Sequence, residues 1–205
     1  MSWNDFFFMN SKIILHIYNQ LKNTYYTPPM EDVFGIFRYV QLEDIKVVMI
    51  GDKPYKNSRD ITDIAFGTKN IKPPLLLERI FENLESTVVG FNRPYNNHLD
   101  KWLKNGIFLC NFCFTRTIVD PLPYHYDLLW EPFINNLVQY ISNDHPVVFM
   151  LFGSKAMTVR KSINEIKSSV MEVPHPIYEY NKFIKSKCFC KARELACELG
   201  FTIQW

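Results

Sequence analysis

Four short apolar segments, rich in β-branched and aromatic residues, are spaced along the chain. They cover residues 46–50, 106–109, 147–152 and 169–173. Continuous apolar runs of this length are typical of strands that are buried on both faces of a parallel sheet. We therefore interpret these four segments as the strands of one parallel sheet.

Helical patterns separate the predicted strands. Apolar residues recur at spacings of three and four in residues 75–84, 98–104 and 130–141, which is the period of an amphipathic helix. The alternation of strands and helices predicts an α/β fold with a central four-stranded parallel sheet flanked by helices. Ligands of such folds bind at the carboxyl ends of the strands, so we expect function in the loops that follow them.

Composition narrows the class of protein. A chain of 205 residues that is 47% hydrophobic and 16% aromatic suits one domain, residues 1–205, with a sizeable core. The formal net charge of +2 is too mild to indicate a nucleic-acid partner by itself. No run of about 18 uninterrupted apolar residues occurs, and the amino-terminal segment lacks the features of a signal peptide. We expect no association with a membrane.

The five cysteines are odd in number and lack the spacing of a disulfide framework. This favours a reducing compartment, the cytoplasm or the nucleus. Cys110 and Cys113, or Cys188 and Cys190, could be taken as metal ligands. The first pair lies in the apolar run IFLCNFCF, where small buried thiols are common, so we expect no metal and no cofactor.

Several motifs together resemble one family. Residues 27–56, TPPMEDVFGIFRYVQLEDIKVVMIGDKPYK, are similar to the family-1 uracil-DNA glycosylases, in which PP-x-x-DVF-x-x-F-R leads into VKVVILGQDPYH. The resemblance continues in the same order through IAFG, PP, GF-x-RP, LDKWLKNGIFLCN, HYDLLWE, LFGSKA and PHP. It covers nearly the whole chain, and several motifs in one order are far more specific than any single motif.

The resemblance implies a pocket for a uracil extracted from DNA. Phe66 matches the ring on which the base stacks, and Asn111 matches the amide that reads its edge. Tyr55 matches the ring that excludes the methyl group of thymine. His175 matches the histidine that stabilises the departing uracil anion. Taken singly, these residues would be ordinary core, turn or loop residues, but their joint placement favours the pocket.

The loop between strand and pocket departs from the family pattern. In place of Gly-Gln-Asp-Pro-Tyr-His the chain has Gly51-Asp52-Lys53-Pro54-Tyr55-Lys56. Asp52 replaces the glutamine, and Lys53 replaces the catalytic aspartate, which orients water and stabilises the positive sugar. An ammonium about 4 Å from that cation would be repelled by about 4 kcal/mol at an effective dielectric near 20, roughly a thousandfold in rate. We expect uracil excision to be lost or severely weakened.

The loops that would contact DNA are only partly retained. Pro73 and Pro74 match the family, but Leu75 follows them where the family has a phosphate-binding serine. Gly153 and Ser154 match the other phosphate-binding loop.

A second DNA-contacting loop is altered in charge. Glu179 stands where a family leucine inserts into the base stack, and a carboxylate there would repel phosphates. Lys182, Lys185 and Lys187 supply positive charge nearby. These lysines are equally consistent with a DNA contact and with a solvated lysine-rich loop.

Three functional hypotheses remain open. The favoured one is a uracil-DNA glycosylase-like protein with lost or weakened excision, kept for DNA binding or as a docking scaffold in replication or repair. The second is an active glycosylase with altered chemistry, in which Lys53 attacks the sugar and forms a Schiff base. The third is a pure protein-interaction module. Poxvirus members of the family serve as polymerase processivity partners, and the many Asn, Ile, Lys and Tyr residues are compatible with a viral genome.

Overall fold

The computed structural model describes residues 1–117 and 125–205, except for the side chains of residues 125–127, which belong to the HYDLLWE motif. Within these residues the chain forms six strands. They are Tyr26–Thr27 (β1), Val47–Gly51 (β2), Ile107–Asn111 (β3), Arg116–Thr117 (β4), Val148–Phe152 (β5) and Ser169–Val173 (β6).

The four longer strands form the predicted central sheet. All of its neighbours are parallel, in the order β3-β2-β5-β6. In the middle of the sheet, Met49 pairs with Leu109 on one side and with Met150 on the other. Every residue of β2 and of β5 is buried, as their continuous apolar sequences require, and each such large side chain contributes about 1.5–3 kcal/mol of burial free energy. The predicted fold class is confirmed.

Helices flank this sheet. The described residues form Trp3–Met9 (α1), Ser11–Leu21 (α2), Met30–Val33 (α3), Ile36–Tyr39 (α4), Leu75–Thr87 (α5), Asp100–Lys104 (α6), His125–Asp144 (α7), Gly153–Met157 (α8), Tyr180–Lys185 (α9) and Cys188–Glu198 (α10). The predicted helices 75–84 and 130–141 lie within α5 and α7. The helix predicted from residue 98 begins only at Asp100, because Leu99 has a left-handed φ of 66° that interrupts helical geometry.

The amino-terminal segment forms α1 and α2, two helices that the apolar pattern did not predict. Ser2 caps α1 by accepting the Asp5 amide proton at 3.2 Å, an arrangement that satisfies an otherwise unpaired helix donor. The Trp3 ring packs edge-on against Phe37, with centroids 4.8 Å apart, and its indole nitrogen donates to the Val40 carbonyl. The segment is therefore part of the core.

Three of the four cysteines in the two pairs are buried, and Cys190 is half-buried. Cys110, Cys113 and Cys188 are buried, and the described part of the chain holds no cluster of three or more His, Cys, Asp or Glu side chains arranged to bind a metal. Burial raises the pKa of Cys110, and it raises the pKa of Cys188 to about 12. Among residues 1–117 and 125–205, no helix combines the length and the hydropathy needed to cross a bilayer.

Candidate functional site

A cavity of about 340 Å³ opens at the carboxyl edge of the sheet. This is the edge at which the loops after β2, β3, β5 and β6 meet. The structure brings Lys53, Phe66, Asn111 and His175 together in the wall of this one cavity, although they come from four separate loops or strand ends. Asp52, Tyr55 and Pro74 line the same cavity.

The floor of the cavity depends on a glycine. Gly51 and Asn111 end neighbouring strands and are register partners. A Cβ on Gly51 would lie 2.5 Å from Asn111 Oδ1 and 3.1 Å from Phe66 Cζ. The first distance is shorter than real Cβ contacts and the second is tighter than most of them, so any larger residue in place of Gly51 would have to displace the Asn111 amide.

Phe66 is held in a strained backbone conformation. Its φ of 66° is rare for a bulky residue, and such strain concentrates at functional sites. The ring is 5% exposed and meets the Phe152 ring edge-on, with centroids 5.4 Å apart. The conformation therefore anchors Phe66 on the core while the ring still lines the cavity.

Tyr55 fixes the loop to the Phe66 segment. Its hydroxyl donates a hydrogen bond to the Phe66 carbonyl. Burial, and to a smaller degree the nearby Asp60 carboxylate, raise the pKa of Tyr55, so the phenol stays a neutral donor. On the other side, Arg116 Nε donates to the Pro54 carbonyl at 2.7 Å. These two hydrogen bonds anchor Pro54 and Tyr55 to neighbouring segments of the protein.

His175 is oriented by the backbone of its own loop. Its Nδ1 accepts the amide protons of Ile177 at 3.1 Å and Tyr178 at 3.3 Å. A neutral ring with Nδ1 as acceptor carries its proton on Nε2. Burial lowers the pKa of His175 although Asp52 and Glu179 oppose this, which favours that neutral form. The ring packs against Gly153, where an added Cβ would lie 3.1 Å from its Cδ2.

Lys53 lies at the cavity wall beside the carboxylate of Asp52. Its Nζ is 3.9 Å from Asp52 Oδ2, and the two side chains are 30% and 31% exposed. The Asp52 carbonyl accepts the Cys113 amide proton at 2.9 Å, which ties this turn to the end of β3. The loop thus places an ammonium and a carboxylate, both in contact with solvent, at the mouth of the cavity.

Glu179 is folded back onto its own loop. Its Oε2 accepts the His175 amide proton at 3.2 Å, and its Oε1 accepts from Lys182 Nζ at 3.0 Å. These two contacts, with the Lys182 hydrogen bond the larger cause, lower the pKa of Glu179. Glu179 therefore stabilises the loop, and its charge is matched by Lys182. Lys185 and Lys187 are exposed at the end of α9 and just after it.

The other predicted DNA contacts surround the cavity. Pro73 leads into Pro74, which caps the start of α5 without any side-chain hydrogen bond, and Leu75 beside it is 55% exposed. Gly153 and Ser154 begin α8 directly after β5; Gly153 has a φ of +81° and Ser154 is exposed.

A second polar cluster beside the cavity was missed from the sequence. Asp63 lines the cavity and accepts from the Tyr39 hydroxyl at 2.7 Å, while His98 Nε2 lies 3.3 Å from its other oxygen. Burial would raise the pKa of Asp63, but the hydrogen bonds from Tyr39 and His98 outweigh it and lower the pKa. His98 is also bonded to Asp100 at 2.6 Å, and the two-residue spacing of that pair was the one sequence signal available.

Comparison with known proteins gives one consistent result. No family model matches the chain. A uracil-DNA glycosylase of Dictyostelium discoideum is 33% identical over 183 residues, which cover 87% of this chain and 53% of that protein. A uracil-DNA glycosylase of Klebsiella pneumoniae is 32% identical over 178 residues, covering 84% of this chain and 77% of that protein.

A solved structure agrees in fold. The crystal structure of mimivirus uracil-DNA glycosylase superposes with a TM-score of 0.86 at 21% identity, covering 99% of this chain and 85% of that one. The chain spans about half the length of the Dictyostelium relative, so the relatives' activity does not transfer with the sequence match. The extent and identity of the Klebsiella match are nevertheless sufficient to show that this chain belongs to the uracil-DNA glycosylase family.

Proposed function

We propose that this protein binds DNA as a uracil-DNA glycosylase-like factor of replication or repair, and that it excises uracil very weakly or not at all. The observation that carries the proposal is the position of Lys53. Its ammonium lies in the wall of the cavity that Phe66, Asn111 and His175 also line, where the family has a carboxylate.

The recognition side of the cavity supports contact with a pyrimidine. The Phe66 ring offers a stacking surface, and the Asn111 amide can both donate and accept at a base edge. Tyr55, held by its bond to the Phe66 carbonyl, is the residue to which the family resemblance assigns the exclusion of a 5-methyl group. His175, with its proton on Nε2, would donate to a base that leaves as an anion. These four residues form the half of the site that favours binding.

The positive charge of Lys53 opposes cleavage of the glycosidic bond. Cleavage of the glycosidic bond builds positive charge on the sugar, which a carboxylate stabilises and an ammonium repels. Solvent at Lys53 and the Asp52 carboxylate at 3.9 Å reduce the repulsion below its value for a buried ammonium. They do not restore an attraction at that position, so the barrier to excision stays high.

The Lys53 lyase is the second candidate. Its support is that a lysine amine lies in the cavity wall. A nucleophilic lysine needs an apolar, desolvated setting, whereas Lys53 is 30% exposed and close to a carboxylate. These surroundings favour the non-catalytic function over the lyase. A role in protein docking is the third candidate, and DNA binding distinguishes it from the other two.

Binding and excision measured in parallel test the proposal. The substrates are single- and double-stranded oligonucleotides that contain uracil or cytosine at one site. We expect binding that is weakened by salt and little changed by uracil, with no detectable excision. Robust turnover on single-stranded uracil DNA would overturn the loss of activity, and an absence of any DNA binding would favour the docking module.

Borohydride trapping on an abasic oligonucleotide tests the lyase in the same samples. We expect no covalent adduct with the wild-type protein. Lys56→Ala is the matched control, since Lys56 is exposed on the same loop. An adduct that persists in Lys56→Ala and disappears in Lys53→Ala would replace the non-catalytic function by the lyase.

A further inference from the structure

Tyr178 is an exposed aromatic residue at the rim of the cavity. Its side chain is 83% exposed, although it lines the same cavity as Phe66 and Asn111. Leu75 and Ile177, which are 55% and 39% exposed, also line this cavity. Exposed apolar side chains that border a cavity mark a binding surface more often than isolated ones do.

The Tyr178 ring is held in place by its own loop. Its centroid lies 4.4 Å from that of the His175 imidazole at an interplanar angle of 32°. The Tyr178 amide donates to His175 Nδ1, and the Glu179 amide donates to the His175 carbonyl at 3.0 Å. One side of the ring therefore rests on His175, and most of the ring remains open to solvent. An aromatic ring ordered in advance loses little entropy when it binds a partner.

We propose that Tyr178 is a stacking platform for an unpaired base of single-stranded DNA at the mouth of the cavity. This inference rests on the proposed DNA binding and names the residue that receives a base outside the cavity. Every nucleobase offers a flat π-face, so aromatic stacking binds single strands with little preference for sequence.

The charge around Tyr178 suits a nucleic acid better than an apolar protein surface. Lys182, 75% exposed, lies four residues further along the chain in α9, and its Nζ pairs with the Glu179 carboxylate at 3.0 Å. Lys185 and Lys187 are exposed further along the same segment. A phosphate backbone that passes these lysines would meet positive charge while its bases face Tyr178.

Fluorescence anisotropy with labelled single-stranded DNA tests the platform. The proteins are wild type, Tyr178→Ala, Tyr178→Phe and Tyr95→Ala. Tyr95 is the matched control because it is fully exposed and does not line the cavity. The Tyr178→Ala change keeps the backbone amide that orients His175. We expect Tyr178→Ala to weaken binding on the order of tenfold, whereas Tyr178→Phe and Tyr95→Ala bind like the wild type.

A 2-aminopurine base in the oligonucleotide gives a second readout, because stacking quenches its fluorescence. We expect quenching by wild type and Tyr178→Phe, and none by Tyr178→Ala. If Tyr178→Ala keeps the affinity and the quenching of the wild type, the stacking platform is overturned, while the proposed DNA binding is not affected. Equal losses in Tyr178→Phe and Tyr178→Ala would assign the contact to the hydroxyl and also overturn it. A wild-type protein that binds no single-stranded DNA would overturn the proposed function together with the platform.

Discussion

The cavity has two walls that differ in burial. One is formed by Phe66 and Asn111, and the other by the loop that carries Lys53. Phe66 is 5% exposed and packs on Phe152, and Asn111 ends strand β3, where it pairs with Gly51 of β2. Lys53, by contrast, lies in a turn with 30% of its side chain exposed. A change at Phe66 must disturb the core, whereas a change at Lys53 alters charge with little effect on packing.

This contrast supports the proposal that the recognition side of the cavity is kept while excision is weakened. The shape of the cavity follows from strand ends, from Gly51 and from the strained Phe66 segment. In the proposed function, the charge that would act on the sugar depends on the partly exposed side chain of Lys53. A family resemblance based on many core-linked motifs therefore indicates the fold and the pocket more strongly than it indicates the reaction.

The largest expected effect concerns stability. We expect Phe66→Ala to lower the free energy of unfolding by about 3–5 kcal/mol, because it removes a buried ring and leaves a void. Lys53→Ala should stay within about 0.5 kcal/mol of the wild type, as substitutions in surface loops away from the core usually do, because Lys53 lies in a turn and is partly exposed. Urea unfolding followed by tryptophan fluorescence measures both. A similar loss of unfolding free energy in the two variants would show that Phe66 and Lys53 do not differ in their contribution to stability.

The next prediction concerns activity. Lys53→Asp restores a carboxylate to the loop, yet we expect excision to rise by no more than about tenfold, or about 1.4 kcal/mol of barrier. Leu75 and Ile177 still border the cavity, and Glu179 remains tied to the His175 amide, so capture of a flipped nucleotide stays impaired. Single-turnover assays on single-stranded uracil DNA measure the rate. Recovery by several orders of magnitude would mean that Lys53 is the sole defect.

A smaller effect is expected at the lysines beside the cavity. If Lys185 and Lys187 contact phosphates, replacing each by glutamine should reduce the slope of log affinity against log salt by about 0.7–0.9. Lys104→Gln is the control, since Lys104 is exposed at the end of α6, just before β3 begins. It therefore lies at the opposite edge of the sheet. An unchanged slope in both variants would show that Lys185 and Lys187 are solvated and do not contact phosphates.

The sequence predicted the framework of the site better than its details. Strands β2, β3 and β5 were recognisable because short continuous apolar runs are typical of strands that are covered on both faces, and the end of β3 located Asn111. The fourth strand, β6, was also expected to be buried, but it lies at the edge of the sheet and only its Met171 and Val173 are buried; its end located His175. The hydrogen bond from the His175 amide to Glu179 could not be predicted, because a carboxylate near the surface can choose among many hydrogen-bond partners of similar energy. Asp63 was missed for a related reason: its partners Tyr39 and His98 are brought to it only by the tertiary fold.

The smallest expected effect is a pH dependence from His175. Burial lowers the pKa of this imidazole in the folded protein, while the unfolded chain keeps the ordinary value of about 6.5. Between the two values the unfolded state binds more protons, so stability is greatest above about pH 6.5 and falls as the pH drops through the folded pKa. Asp52 and Glu179, which face the ring, oppose the shift and keep the effect small.

His175→Asn isolates this contribution, because its side-chain oxygen can still accept the Ile177 and Tyr178 amide protons but does not titrate. Urea unfolding between pH 5 and pH 8 should show a shallower loss of stability on acidification in the variant than in the wild type. Parallel curves for the two proteins would show that His175 is as easily protonated in the fold as in water. The imidazole would then be half protonated at about pH 6.5, and at that pH the contrast in charge between the wall at His175 and the loop at Lys53 would be smaller.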